Sequence, residues 1–392
     1  MAEYLQKLPL YQQDSHGKHI NLRQSGINKG LLFERWFGGY DENWCADKKL
    51  TENNSSTHPL TWLTGFCGDK NVLLQARNRL SDLINHLKGT ALTASLDWHM
   101  VTGTGEAHPL ENGFRWHYGL AVPYLPASSI KGMLRTWLTC WDTDSFSKEE
   151  IIHLLGNEQE SETAQIGNLL VFDAIPCEQP VLSLDVMAPH CGDWYQKGGS
   201  NPGTAETVPA DWQSPNLITF LVVKKASFFF SVAARTPKAQ QLLPKVMIAL
   251  SEALSTLGIG AKTALGYGVM ITEPEESSHS GIKLLDAAKK RREDALKKQI
   301  MASLPPNQLK ILQLTNELVE YDKYNETQAN KEKESKNSEI AELVNKALEE
   351  QWDVADRQAL VTMIKKHSRW LHIANKVKLR ERKLSIARLE EV

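Results

Sequence analysis

The apolar positions of this chain follow two regimes, and the change falls near residue 274. Before it, short β-branched and aromatic runs alternate with stretches of helical period. Ala91–Thr102 predicts a strand. Ser128–Trp141 predicts a helix entered through Pro126, with Ser128 or Ser129 as its cap. Asn168–Ala174, Leu217–Val223 and Ser227–Ala233 predict further strands. Lys238–Leu257 carries Leu242, Val246, Ala249, Leu250, Ala253 and Leu257 on one helical face, and Tyr267–Ile271 predicts a closing strand. Residues 176–216, dense in glycine and proline between 189 and 203, predict an irregular excursion. Strand, helix, strand, excursion, strand, helix, strand is a βαββαβ order with large insertions. That order is an α+β, ferredoxin-like unit of the kind used by RNA-recognition domains.

Beyond 274 glycine almost disappears and charge rises. Pro305 and Pro306 should break one helix from the next, while Ile340, Leu343, Val344, Ala347 and Leu348 mark an apolar helical stripe. Residues 365–392 hold nine Lys or Arg against three Glu, so the last helix is basic; a solvated face is the ordinary reading of such a run. The expected organisation is an α+β domain over 1–274 and an all-α, charged C-terminal extension over 275–392.

Composition narrows the function classes. At 392 residues and 41% hydrophobic content the chain can bury a sizeable core, and its net charge of −2 confines any polyanion site to a local patch. The five cysteines form no Cys-x-x-Cys pair, which points to free thiols in a reducing, cytoplasmic setting. No run of eighteen apolar residues and no secretion-signal layout is present, so no membrane partner is expected. Among eleven tryptophans, Trp36, Trp44, Trp98, Trp116, Trp194 and Trp212 lie in polar surroundings. Such rings serve as buried anchors or as stacking faces.

The densest chemistry lies at Gly258–Gly268, which reads Gly-Ile-Gly-Ala-Lys-Thr-Ala-Leu-Gly-Tyr-Gly. Glycines this close let a backbone take positive φ and bring its amides against phosphate oxygens, with Lys262 close by. A Walker A loop requires Gly before the lysine, where Ala261 stands, and a dinucleotide fingerprint from Gly258 requires Gly at Thr263. Both nucleotide readings fail, leaving a backbone-facing wall or a tight turn. The second segment is Gly119–Arg135, where Ser128 and Ser129 open a helix bearing Lys131 and Arg135, a plausible anion site beside an ordinary capped helix. Glu106, His108, Glu111 and His117 are metal-ligand types without a matching spacing. Asp185, His190, Asp193 and Trp194 suit acid–base work on RNA or simple loop packing, and Cys191 beside His190 lacks an orienting partner for thiol chemistry.

Together these residues carry a resemblance. The motifs Asn28-Lys-Gly-Leu-Leu-Phe-Glu-Arg-Trp, Gly119–Arg135, Asp185–Tyr195, Pro209-Ala-Asp-Trp-Gln-Ser-Pro and Gly258–Gly268, in that order over about residues 20–272, resemble the sixth Cmr subunit family of type III-B CRISPR effector complexes, within the RAMP superfamily. The resemblance implies a modified ferredoxin-like, RNA-recognition-motif-like RAMP domain with a thumb-like insertion at about 176–216. It implies a non-catalytic subunit, without cofactor or metal, that holds the 3′ part of the CRISPR RNA. Other Cmr-type subunits and, through the guide duplex, target RNA are the implied partners. The implied RNA-binding residues are Ser128, Ser129, Lys131, Arg135, Gly258, Gly260, Lys262, Gly266, Tyr267 and Gly268, and the implied thumb residues are His190, Asp193, Trp194 and Tyr195. Sequence is then read by base pairing while the protein grips backbone. Ala127 stands where the family often has glycine, and 275–392 has no counterpart in the resemblance. The competing expectation is a RAMP endoribonuclease that processes CRISPR precursor RNA, with His190 or His108 as acid–base.

Overall fold

The computed structural model describes residues 26–37, 40, 59–110, 112–157, 164–197, 208, 210, 212, 215, 217–272, 276–321, 326–366 and 383–389; the side chains of 193, 196, 197, 276–280, 320, 321 and 326–336 lie outside that description. Trp44, Cys45, Glu111 and most of the Pro209–Pro215 motif also lie outside it. The chain divides into two compact units, Met1–Arg291 and Arg292–Val392.

In the first unit the elements run α1 (Lys29–Glu34), β1 (Gly65–Phe66), α2 (Lys70–His86), β2 (Thr90–Leu96), β3 (Trp116–His117), β4 (Val122–Pro123) and α3 (Ala127–Thr136), which runs into a π turn at Trp137–Trp141. There follow α4 (Lys148–Leu155), β5 (Leu169–Val171), β6 (Ile175–Pro176), β7 (Val181–Met187), α5 (Gly192–Lys197), β8 (Ile218–Lys225), β9 (Ser227–Ala234), α6 (Pro237–Thr256), β10 (Met270–Ile271) and the first part of α7 (Glu276–Ser303). The main sheet has the order β10-β2-β9-β5, antiparallel throughout, with β6 also on β9. A second sheet, β1-β7-β8, adjoins it.

The physical centre of this unit is β9. Phe228, Phe229 and Phe230 are consecutive and all fully buried, and since successive strand residues face opposite sides, both faces of the sheet are covered. Phe228 and Phe230 share a core with Leu92, with Ile130 and Leu134 of α3, and with Leu243, Val246 and Leu250 of α6. Phe229 packs instead with Ile84 of α2, Ala91 and Leu285 of α7. Each ring removed from water contributes about 1.5–3 kcal/mol. A side chain at Gly281 would run into the Ala91 carbonyl oxygen, so the start of α7 lies directly on the β2 backbone. For that reason the division between units falls inside α7 and not at the change of composition near 274.

The asparagine-led N-terminal motif is structural. Asn28 caps α1, accepting from the Gly30 and Leu31 amides, and its own amide donates to the Tyr118 carbonyl at 2.7 Å. Lys29 Nζ donates to the Leu63 and Thr64 carbonyls.

Four local expectations are corrected. The strand expected over Ala91–Thr102 stops at Leu96; the chain bends at Asp97 and Trp98, and Met100 then bridges to Val223 of β8 while Val101 bridges to Ala261. One continuous stretch of chain, broken at Asp97–His99, therefore serves two sheets. The excursion at 176–216 contains regular structure, because Val-Leu-Ser-Leu-Asp-Val-Met alternates along β7 and pairs with β8 along its whole length, with one register shift between Val181 and Leu182. The closing strand is short, and Tyr267 and Gly268 belong to the preceding loop. Finally, α3 has Pro126 at its N-cap position with no side-chain cap from its own residues, so Ser128 and Ser129 lie within the first turn.

In the second unit, Pro306 opens α8 (Pro306–Tyr321), which is followed by α9 (Glu326–Glu349), α10 (Val354–Lys366) and a helical segment at 383–389. Their core holds Ile311, Leu314, Leu318, Ile340, Val344, Ala347, Trp352, Leu360 and Leu389. Most of the basic run after 365 lies outside the described residues. Among the described residues, no helix is long and apolar enough to cross a membrane.

Candidate nucleic-acid interface

The glycine loop between α6 and β10 is tied down from within. The Ala261 amide donates to the Val101 carbonyl at 2.7 Å, the Ile259 amide to Gly268 at 2.9 Å, and the Gly268 amide to His99 at 2.8 Å. A side chain at Gly260 would run into the Val101 carbonyl oxygen, and one at Gly268 into that of Ile259. Those two glycines exist to let the loop lie against its own scaffold. Gly266 differs, since it has positive φ (88°) but open space where a side chain would be. Lys262 is itself left-handed at φ 60°, held by the Lys262–Gly266 turn in which the Leu265 amide returns to the Lys262 carbonyl. Its ammonium meets the Met187 sulfur and lies 5.5 Å from the centroid of the Phe220 ring.

Tyr267 is buried, and its hydroxyl donates to Asp185 Oδ2 at 2.7 Å. His99 Nδ1 meets the same oxygen at 3.1 Å, and because a carboxylate only accepts, Nδ1 carries the proton. Burial pushes the Asp185 carboxyl up, but the hydrogen bonds from Tyr267 and His99 outweigh it and hold the group below its ordinary range. Burial and the adjoining Asp185 push the Tyr267 phenol up to about 12. Trp98 stacks on His99 with centroids 4.7 Å apart and planes within 13°, and lies 4.9 Å from the Tyr267 ring. Asp185 thus joins His99 and Tyr267, and not the downstream histidine. His190 is exposed, and on α5 Trp194 and Tyr195 are exposed and meet edge to face at 5.1 Å. The Asp193 side chain lies outside the described residues.

At α3 the first amide, that of Ala127, donates to Asp173 Oδ1 at 2.7 Å. A carboxylate from the β5–β6 connection therefore caps this helix and complements its dipole. Lys131 is only partly buried; burial and the neighbouring Arg135 and Arg235 lower its affinity for a proton. Arg135 itself donates to the Leu155 and Gly156 carbonyls at 2.9 and 3.1 Å, closing the end of α4. Its guanidinium is engaged within the fold, whereas Lys131 keeps its charge at the surface.

The histidine cluster upstream is a packing motif. His108 Nε2 meets the Phe33 carbonyl at 3.0 Å, its Nδ1 accepts from the Leu110 amide at 3.1 Å, and its ring stacks on Phe33 at 3.8 Å. Burial pulls its pKa down to about 4, against a smaller opposing effect of the Phe33 carbonyl. Glu106 pairs with Arg115, and His117 Nδ1 accepts from the Leu120 amide. No group of three metal-ligating side chains occurs among the described residues. The four described cysteines are free, and burial raises Cys67 to about 12 and Cys177 to about 11. Both are closed to thiolate chemistry at neutral pH.

Residues 96–271 match the RAMP superfamily. A Cmr6 subunit of the CRISPR Cmr system in Pyrococcus furiosus is 28% identical over 245 residues, which span 49% of this chain and 70% of that protein. The corresponding Saccharolobus solfataricus subunit is 26% identical over 162 residues, 41% of this chain and 48% of that protein. The chain is Cmr6-like. Two solved structures are also similar: a type III-B Cmr-beta complex bound to cognate target RNA (TM-score 0.41, 19% identity, 58% of this chain and 70% of that one) and Cmr6 from P. furiosus (TM-score 0.30, 24% identity, 47% and 97%).

All of the expected interface residues of this Cmr6-like chain fall within the RAMP-matched stretch, whereas α8 to α10 fall beyond it. The strand register puts the glycine loop at the end of the sheet where β2 finishes and β9 begins, since Met270 pairs with Leu96 and Ser95 with Ser227. Lys131 lies near Arg235, just beyond Ala234 at the finish of β9, and the Ala127 amide meets Asp173 opposite the middle of β9, between the pairings of Val171 with Val232 and Ile175 with Phe229, so α3 does not open at the glycine-loop end. Sequence reasoning passed over Lys224 and Lys225, exposed at the β8–β9 turn of that end, and His99. The signal for the lysines was a charged pair between two apolar strands; His99 had none.

Proposed function

We propose that this chain is a non-catalytic RNA-binding and assembly subunit of a type III-B CRISPR effector complex, gripping the backbone of the guide's 3′ part in the cytoplasm. The observation that carries the proposal is the match of residues 96–271 to the RAMP superfamily, a stretch that holds two cationic backbone features, the Lys262 loop and the Lys131 helix. Counted among the βαββαβ strands, the sheet order β10-β2-β9-β5 is fourth, first, third, second, which supports a ferredoxin-like reading. The segment from β7 through α5, with Trp194 and Tyr195 exposed, supports the thumb-like role of 176–216 beside the guide–target duplex. The helical extension is then free to serve neighbouring Cmr-type subunits.

The endoribonuclease alternative gains nothing from His108, whose two nitrogens are both bonded within the fold. Incubating purified protein with repeat RNA tests the remaining candidate: metal-independent cleavage abolished by His190→Ala would replace the binding reading with the catalytic one. For the grip itself, Lys131→Ala and Lys262→Ala should each weaken guide binding and flatten its log–log salt dependence by up to about one unit. Affinities that match the unaltered protein across the salt range would remove these lysines from the interface.

A further inference from the structure

Trp98 is an unusual residue for its setting. It sits between a main-sheet strand and the residues that bridge to β8, beside a buried core, yet 48% of its surface is exposed. One face already rests on His99, so the exposed part is the other face and an edge. A ring so placed would ordinarily turn inward, because full burial is worth about twice a half-covered position.

Three bonded contacts prevent that. The Asp97 amide donates to the Val269 carbonyl, Asp185 fixes His99 beneath the indole, and the His99 carbonyl accepts from Gly268. The backing is rigid and aromatic, and it continues to the cation of the loop: Trp98 touches Tyr267, Tyr267 lies 6.2 Å from Phe220, and the Lys262 ammonium lies over Phe220. A flat open π-face and a positive charge are thus held in one cluster. A single-stranded nucleotide presents that same pair of features, a base face and a phosphate, on one unit.

We infer that Trp98, backed by His99 and Tyr267, is a stacking shelf for one unpaired RNA base whose phosphate is directed to the glycine loop. This rests on the RNA-binding reading and adds to it a base contact, where the two lysines supply only backbone charge. Stacking is indifferent to which base is present, so the shelf would fix the strand's path without reading its sequence. His99 and Asp185 are positioning residues that keep the shelf level.

The test uses the full chain and a labelled 20-nucleotide oligouridine, with a matched strand carrying an abasic stretch as the second probe. Trp98→Ala is expected to lose about five- to 150-fold in affinity for oligouridine, the range for one stacked base, while keeping its salt slope. Trp98→Phe should retain most of the binding, and both variants should melt close to the unaltered protein. On the abasic strand the difference between Trp98→Ala and the unaltered protein should vanish. Unchanged affinity for oligouridine, or an equal loss on both strands, overturns the shelf, and Lys262→Ala would still report on the grip. If the unaltered protein binds neither strand, the RNA-binding reading fails and the shelf fails with it.

Discussion

At the scale of single residues, burial decides more than chemical type. His108 belongs to a residue type that invites catalytic readings, yet it is stacked on Phe33 with both nitrogens bonded to backbone. Its proton affinity makes this measurable. In the unfolded chain the imidazole takes up a proton near its ordinary 6.5, whereas in the fold burial delays this to about 4. Between those values the unfolded state binds more protons, so stability is intact above pH 6.5 and falls as pH drops toward 4, by at most about 3 kcal/mol. Urea unfolding at pH 7 and pH 5 should show a larger loss for the unaltered protein than for His108→Gln; equal losses would assign the acid sensitivity elsewhere. The neutral burial of His108 could not be read from its neighbours in sequence, because its partner Phe33 is 75 positions away. The cluster of His99 with Asp185 was hidden in the same way, at a separation of 86.

At the scale of elements, periodicity was legible and termini were not. The apolar face of α6 and the strand character of β9 follow from their own residues, and both reach the core, although on α6 the expected Leu242 and Leu257 are only partly buried and the buried stripe takes in Leu243 and Leu254 instead. The start of α3 depends on a residue 46 positions away, which no local serine pattern reveals. That Asp173 cap has two opposed effects. Removing it by Asp173→Ala should cost about 1 kcal/mol of stability through the lost cap. It should also tighten RNA binding, because a carboxylate no longer competes with phosphate at the amide end of α3. Parallel melting and binding curves check both signs, and weaker binding by the variant would argue that no phosphate approaches this helix.

At the scale of the molecule, composition located a change of character but not the limit of the folded unit. The change near 274 reports where glycine ends; the compact unit continues to Arg291, since Gly281 and Leu285 close the back of the sheet over Ala91 and Phe229. A fragment ending at 291 should therefore melt higher than one ending at 274. The difference should be about 2–5 kcal/mol, the usual cost of deleting one large buried aliphatic side chain. Calorimetry of the two fragments decides it, and identical melting would show that α7 adds nothing to the sheet. Two-sided coverage was signalled by three adjacent phenylalanines in β9, although the identity of the second cover was not.

The internal ties of the glycine loop bear on kinetics. Ala261, Ile259 and Gly268 already have their amides bonded before any ligand arrives, so little conformational freedom remains to be lost on association. An RNA strand meeting this surface would find it already in its final shape. Association should then proceed in a single bimolecular phase, with observed rates rising linearly with RNA concentration and no slow isomerisation after contact.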